Sequence, residues 1–420
     1  MSKTLITNAS IFDGTGSKPF IGNVLVEGNR IQSVTHGKSS PDMKADIVID
    51  GSGKFLMPGM TEGHAHLSFD RVTTTEDLIT PPPEEHTLLT ARVAKTLLDQ
   101  GFTSAYGASE AKLRLGVAVR NEVDAGRLPG PRIRAGSLEI TVTGGLGDES
   151  RLHNRRNAPS MVIDGPEEMR KAVRLSCREG CDNIKLDVSG DPFYPATPAH
   201  CTTMSLEEIQ MAVQTARSFG KRVNVHARSI QSIQNSVIAG VDMIYHAEYS
   251  DEKTLDMLEE AKDRIFVAPT ISLFHTMLHE AEPFGLPRVV ADGMGIPALV
   301  EASVKTHSAL RKRGIRHLIG GDYGFTWNMN GTNARDLKHF VDYYGYSPAE
   351  ALVCATRNGG LAMRDQGDLG TLQEGMLADM LLVDGDPLQD LTILTDKNRL
   401  AMVMKDGEIH SVLSSLRPTN

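Results

Sequence analysis

A chain of 420 residues, 40% hydrophobic and 23% charged, is long enough for one large domain with a smaller partner and has the composition of a folded globular protein. A formal net charge of −9 argues against a nucleic-acid partner, because such binding draws its affinity from Lys and Arg neutralising phosphates. No apolar run reaches the roughly 18 residues that a spanning helix needs, so no membrane partner is expected.

The chain opens on short alternating segments, TLITNASIFDG, GNVLVEGNRIQSVT and DIVIDGSGKFLMPG, broken by Gly, Asn and Asp, which read as β-hairpins. The first of them reads directly as an alternating strand, with no basic segment before an apolar one, so it is not read as a secretory leader; a cytoplasmic protein is expected, or an exported one whose leader has been removed. After Gly59, strand-like runs alternate with amphipathic helical stretches, the sequence mark of βα units. Eight candidate strands follow in order: GMTEGHAHL, FTSAYGAS, RIRAGSLEIT, NIKLDVS, RVNVHAR, MIYHAEY, RIFVAPTIS and HLIGGDYG. Among the helical stretches, PEEHTLLTARVAKTLLDQG is led in by Pro81-Pro82-Pro83, while GPEEMRKAVRLSCREG and SLEEIQMAVQTARSFG begin acidic and end on Gly. The tail returns to hairpin texture in GDLGTLQEGMLADMLLVDGDPL and RLAMVMKDGEIHSV. The expected architecture is α/β: a (β/α)8 TIM barrel over residues 59–364, with a small β-sandwich domain built from residues 1–58 and 365–420.

In such a barrel the chemistry sits at the C-terminal ends of the strands. The first candidate strand ends in His64-Ala65-His66, whose imidazoles share a face because side chains alternate with period two. The fourth carries Lys185, the fifth His226, the sixth His246, and the eighth Asp322 after Gly320-Gly321. Any one of these reads as a hydrogen-bonded core residue; six at matching strand ends do not. Cys177 and Cys181 lie about one helical turn apart, but no second pair completes a thiolate site, so they read as a packed face.

The HxH pair, the Lys, the two single His and the Asp, with Ala355-Thr356-Arg357-Asn358 and Gly375-Met376-Leu377-Ala378-Asp379 in the tail, resemble the binuclear branch of the amidohydrolase superfamily over essentially the whole chain. Within it the pattern looks closest to prolidase-like and N-acyl-amino-acid hydrolases, the ochratoxin A amidohydrolases in particular. The resemblance implies two divalent metal ions, zinc by donor type, although Mn²⁺, Co²⁺ or Fe²⁺ suit the same ligands. His64, His66 and Asp322 would hold one ion and His226 and His246 the other. Lys185, carbamylated by carbon dioxide, would bridge them, with Asp187 as a rival bridge. Burial is expected to lower the Lys185 pKa and free the amine for that reaction. Asp322 is expected to act as general base and then general acid in hydrolysis of an amide, splitting a carboxylate-bearing amino acid from an acyl group. Ochratoxin A fits that description, as do Xaa-Pro dipeptides.

Relatives carry a Gly-Gly-His-Gly run where this chain has Gly144-Gly145-Leu146-Gly147, and His153 is the candidate replacement; its other reading is a surface histidine beside Arg151, Arg155 and Arg156. Arg228, on the His226 face of its strand, is the candidate for the substrate carboxylate, or else a structural ion pair. His275 and Trp327 are candidates for lining the substrate site. A cyclic-amide hydrolase or deaminase is the competing enzyme, against which Lys185 counts; a non-catalytic scaffold would have lost ligands. The resemblance also implies a homo-oligomer, such as an octamer.

Overall fold

The computed structural model describes residues 2–37, 44–194 and 196–416. Strands β1 (Lys3–Ile11), β2 (Phe20–Glu27), β3 (Arg30–His36), β4 (Ile47–Asp50) and β5 (Phe55–Pro58) open the chain. The middle supplies β6 (Met60–Ala65), β7 (Phe102–Gly107), β8 (Arg132–Arg134), β9 (Gly136–Thr141), β10 (Ser160–Val162), β11 (Asn183–Asp187), β12 (Arg222–Ala227), β13 (Met243–His246) and β14 (Phe266–Ala268). The tail adds β15 (Met380–Val383), β16 (Leu400–Lys405) and β17 (Glu408–Val412).

The two ends of the chain meet in one eight-stranded sheet, ordered β17-β16-β15-β5-β1-β2-β3 with β4 paired to β1. Its seam is the antiparallel pair β5–β15, where Pro58 faces Met380 and Phe55 faces Val383. All four residues of β15 are buried. Because side chains alternate, Met380 and Leu382 join one apolar cluster with Ile6, Val24 and Met402, while Leu381 and Val383 join another with Leu97 and Phe102. The second cluster welds the terminal sheet to the helix Pro83–Asp99, which starts on a proline at its first turn, where no N–H is required.

The middle of the chain is α/β. β10-β9-β11-β12-β13-β14 form one sheet and β6-β7-β8 another, with every neighbouring pair parallel. Parallel neighbours need crossovers, supplied here by helices such as Pro166–Arg178, Leu206–Ser218 and Ile230–Ala239. Leu206–Ser218 is fixed at its start by a capping box in which Ser205 and Glu208 satisfy each other's backbone N–H. Cys177 and Cys181 are buried free thiols; Cys177 packs in the core between these helices and the sheet.

Two candidate strands differ from the sequence reading. RIRAGSLEIT is two strands, because Ala135 leaves the ladder and its carbonyl accepts from Asp182 N and Asn183 N. β8 therefore pairs with β7 and β9 with β11, so one continuous segment passes from one sheet into the other. HLIGGDYG is not a regular strand. Its single bridge joins His317 to Val267, Leu318 N donates to Val267 O, and Gly63 N donates to Ile319 O, so it lies between β14 and β6. Its next N–H, that of Gly320, turns instead to the Asp336 carboxylate at 2.9 Å. Gly320 is required by this close approach: a Cβ there would lie 2.6 Å from His64 N. Among the described residues no helix is long and apolar enough to cross a membrane.

Candidate metal centre

The C-terminal ends of the parallel strands open on a cavity of about 450 Å³. His64 is the fifth residue of β6, and His66 follows the strand's last residue on the same face; both are buried, with ring centroids 4.9 Å apart. Asp322 Oδ1 lies 3.1 Å from His66 Nε2 and 3.9 Å from His64 Nε2. Donor atoms of these three side chains all fall within 4.8 Å of one another. His226, from β12, and His246, from β13, stand beside them with ring centroids 4.3 Å apart, and the His64 and His246 centroids are 5.6 Å apart. Lys185, from β11, lines the same cavity.

The surroundings choose which ring nitrogen each histidine presents. His66 Nδ1 is 3.1 Å from the carbonyl of Ser109, and His246 Nδ1 is 2.6 Å from Thr270 Oγ1, so each keeps Nε2 for the cavity. His226 is held the other way, with Nε2 3.1 Å from Gly190 O, which leaves Nδ1. His64 stacks on Tyr245 at 3.8 Å, and its backbone N–H donates to Glu62. Four residues here hold a left-handed backbone without being glycine: His246 (φ 79°), its neighbour Ala247 (φ 59°), Thr270 (φ 58°) and Asp322 (φ 59°). Such a conformation costs about 1–2 kcal/mol per residue and survives where the surroundings over-determine it. For Asp322 those surroundings are visible: Asn328 Nδ2 holds the carbonyls of Gly321 and Asp322, and Asp336 holds Gly320 N and Tyr323 OH.

The donor chemistry fits a divalent metal ion. Burial holds His64, His226 and His246 well below the ordinary imidazole range, so they are neutral and keep lone pairs for a cation. Burial would raise the Asp322 carboxyl, but His64, His66 and Lys185 outweigh it and hold the group ionised, well below the carboxylate range. His64 Nδ1 is buried without a hydrogen-bond partner.

Lys185 requires a correction. Its burial does act to lower its pKa, but Asp187, Glu139 and Asp322 outweigh burial and raise it. Its Nζ lies 3.3 Å from Asp187 Oδ1 and 3.5 Å from Glu139 Oε1. Without metal the group is therefore an ammonium held by carboxylates, not a free amine. Read as one strand, RIRAGSLEIT does not single out Glu139; split at Ala135, it puts Glu139 near the end of β9, level with Lys185 in the sheet register.

Arg228 is 1% exposed and already paired. Its Nε donates to Asp191 Oδ2 at 3.0 Å, its Nη1 donates to Glu248, and its guanidinium lies over Phe274 at 4.9 Å. It is absent from the cavity lining; Asp191, which does line the cavity, stands between it and His226, 3.6 Å from Nε2. The structural ion pair is thus the arrangement present. Burial pushes the Glu248 carboxyl up to about 7 even against the opposing charge of Arg228. Arg228→Ala strands two buried carboxylates, and we expect it to destabilise the protein by about 3–5 kcal/mol, read as a lower urea midpoint with an unchanged slope. An unchanged midpoint would show that these carboxylates do not depend on the guanidinium.

His153 is an exposed loop residue, and neither it nor His275 lines the cavity. His275 is turned to the far side of the helix Ile271–His279, with Nδ1 2.7 Å from Tyr343 OH, and burial, His339 and His279 push it down to about 4. At the position of the missing histidine, Leu146 and Gly147 line the cavity. Trp327 lines it as well, stacked on Phe325 at 5.7 Å, which stacks on Phe193 at 6.3 Å and meets Phe69 edge-on at 6.4 Å. Sequence reasoning missed Phe69 and Phe193, which come from loops whose convergence no local pattern encodes.

Residues 55–410 match the sequence pattern of the amidohydrolase family. An ochratoxinase of Aspergillus niger is 27% identical over 379 residues, covering 84% of this chain and 75% of that protein. The crystal structure of a Xaa-Pro dipeptidase with methionine bound in its active site is similar with a TM-score of 0.87 at 25% identity, covering 97% of this chain and 100% of that one. That of a prolidase complexed with N-methylphosphonate-L-proline gives a TM-score of 0.88 at 24% identity, covering 98% and 100%, a likeness of fold.

Proposed function

This chain belongs to the amidohydrolase family and is a hydrolase acting on carbon–nitrogen bonds, and on that premise we propose that it cleaves the amide between an acyl group and an amino acid with a free carboxylate, ochratoxin A among such small molecules. The observation that carries the reading is the convergence of His64, His66 and Asp322 within 4.8 Å in a cavity with an aromatic wall. We take the two parallel sheets as parts of one (β/α)8 barrel, residues 59–364, with the terminal sheet as its partner domain.

His64, His66 and Asp322 would hold one ion and His226 and His246 a second, zinc suiting both by donor set, and a Lys185 carbamate would bridge them. When bound, the metal supplies Lewis-acid polarisation of the amide carbonyl and acidifies water. Asp322 accepts the proton of the attacking water as the new carbon–oxygen bond forms. It then delivers that proton to the nitrogen as the carbon–nitrogen bond breaks, so the amine leaves neutral. Phe325 and Trp327 offer a flat apolar face suited to an aromatic group, by stacking. This favours phenylalanine conjugates over Xaa-Pro dipeptides, which the likeness to a Xaa-Pro dipeptidase keeps as the second reading.

The test is product release from N-acyl amino acids, Xaa-Pro dipeptides and ochratoxin A by zinc-loaded and chelator-stripped protein. We expect zinc-dependent release of phenylalanine from ochratoxin A or an N-acyl-phenylalanine. No release from any of them by fully metallated protein would overturn the reading and turn the search to cyclic amides and deaminations.

A further inference from the structure

A substrate that carries a carboxylate needs a cation in the site, and the cavity lining contains two, Lys185 and Arg151. Lys185 is 2% exposed and held between Asp187 and Glu139. Arg228 is buried behind Asp191 and Glu248. Arg156 lines a separate cavity, with Lys112. Arg151 differs from all of these. It is exposed, and among the described residues its guanidinium makes one hydrogen bond, from Nη1 to the carbonyl of Ser150 at 3.1 Å, while its backbone pairs with that of Asn154. Among the described residues no carboxylate pairs with it.

The acid two residues before it, Glu149, lines the same cavity but is engaged elsewhere. Its Oε1 accepts from Tyr194 OH at 2.5 Å and from Thr75 Oγ1 at 3.1 Å. These bonds tie the loop carrying Arg151 to two other segments of the rim and occupy the carboxylate that would otherwise neutralise it. The loop is further pinned by Asp148, which accepts from Gly144 N and Ser150 N at 2.9 and 3.0 Å. The guanidinium is thus carried on a braced loop, and apart from the Nη1 bond to Ser150 its donors have no partner among the described residues.

We propose that Arg151 is the specificity-determining residue of the site, binding the carboxylate of the substrate's amino-acid half at the rim of the cavity. The inference rests on the amidase reading above. A guanidinium offers a carboxylate two parallel donors, and this also orients the amide toward Asp322 and the histidines on the cavity floor. Anionic amino-acid conjugates are selected, and their carboxamides are not.

The experiment compares wild type, Arg151→Ala and Arg151→Lys, all zinc-loaded, on an N-acyl-phenylalanine and its primary carboxamide. For an exposed guanidinium we expect Arg151→Ala to raise KM for the acid by about three- to thirtyfold, with kcat little changed and KM for the carboxamide unmoved. The acid-specific effect shrinks as salt rises, and Arg151→Lys recovers part of it. Equal effects on acid and carboxamide, or no effect, overturn the proposal. Calorimetric binding of N-acetyl-phenylalanine to the same three proteins reads the contact without turnover. Tighter binding by wild type than by Arg151→Ala supports Arg151 even if no conjugate is cleaved, and equal affinities remove it. Failure of wild type to cleave any conjugate is a failure of the amidase reading alone.

Discussion

Asp322→Asn is expected to lower kcat by about 10²- to 10⁴-fold, the range for loss of a positioned general acid–base group, while the protein stays folded. Asparagine is the informative replacement for a structural reason. Asp322 sits at φ 59°, a conformation that asparagine tolerates far better than other non-glycine residues. The bonds that impose it run from Asn328 Nδ2 to the backbone carbonyls of residues 321 and 322 and from Gly320 N to the Asp336 carboxylate, none of them to the Asp322 carboxylate. The substitution therefore removes a charge and a proton acceptor without removing what shapes the loop. Asparagine keeps one oxygen facing His66 Nε2, so part of the metal is expected to remain. The measurement pairs steady-state kinetics with metal content and thermal unfolding. Turnover lost with an unchanged unfolding transition and retained metal isolates the proton role; near-normal turnover would remove that role from Asp322.

What sequence could and could not say follows from the range of each interaction. His64 and His66 were legible because a period of two is a local rule, and the structure brings their rings within 4.9 Å. His226, His246 and Asp322 were legible as strand-end residues, although the segment before Asp322 turned out not to be a strand. Its glycines, which pass close to β6, send a backbone N–H to Asp336 instead of to a neighbouring ladder. Arg228 shows the limit. Its place on β12 follows from sequence, but its role depends on Glu248, twenty residues on, and on Asp191, in a loop after another strand. For His153 and His275 the sequence supplies only proximity along the chain to the strand ends, and that does not decide which way a loop or helix faces. The position of Lys185 follows from sequence but its charge does not, because burial alone would lower its pKa and the two carboxylates beside it, which raise it, come from the folded arrangement.

Those carboxylates give Lys185 two separable jobs, and Lys185→Ala is expected to expose both. With metal absent, the ammonium is the counter-charge of Asp187, which is wholly buried with Oδ1 3.3 Å from the Lys185 nitrogen, and of Glu139 beside it. Burial and Glu139 already push the Asp187 carboxyl well above the usual carboxylate range against the pull of Lys185. Removing the cation leaves this carboxyl pair without its counter-charge, and breaking such a buried pair costs about 3–5 kcal/mol. Metal-free Lys185→Ala should therefore unfold at a lower urea concentration than metal-free wild type. With metal present, the expectation from the amidohydrolase pattern is different: the lysine, converted to a carbamate, becomes a ligand. Lys185→Ala should then lose most of its bound metal and fall to background turnover. Because the variant is destabilised even when metal-free, activity alone does not separate the two jobs. Wild type does so on its own: metal loading with carbon dioxide excluded should be poor, should recover on adding bicarbonate, and should add the mass of one carbon dioxide to the peptide containing Lys185. Adding a short-chain carboxylic acid to folded Lys185→Ala should restore part of the metal binding by supplying the missing oxygens. A fully metallated, active Lys185→Ala would remove the carbamate and leave Asp187 or Glu139, both already within 3.5 Å of the Lys185 nitrogen, as the bridging ligand.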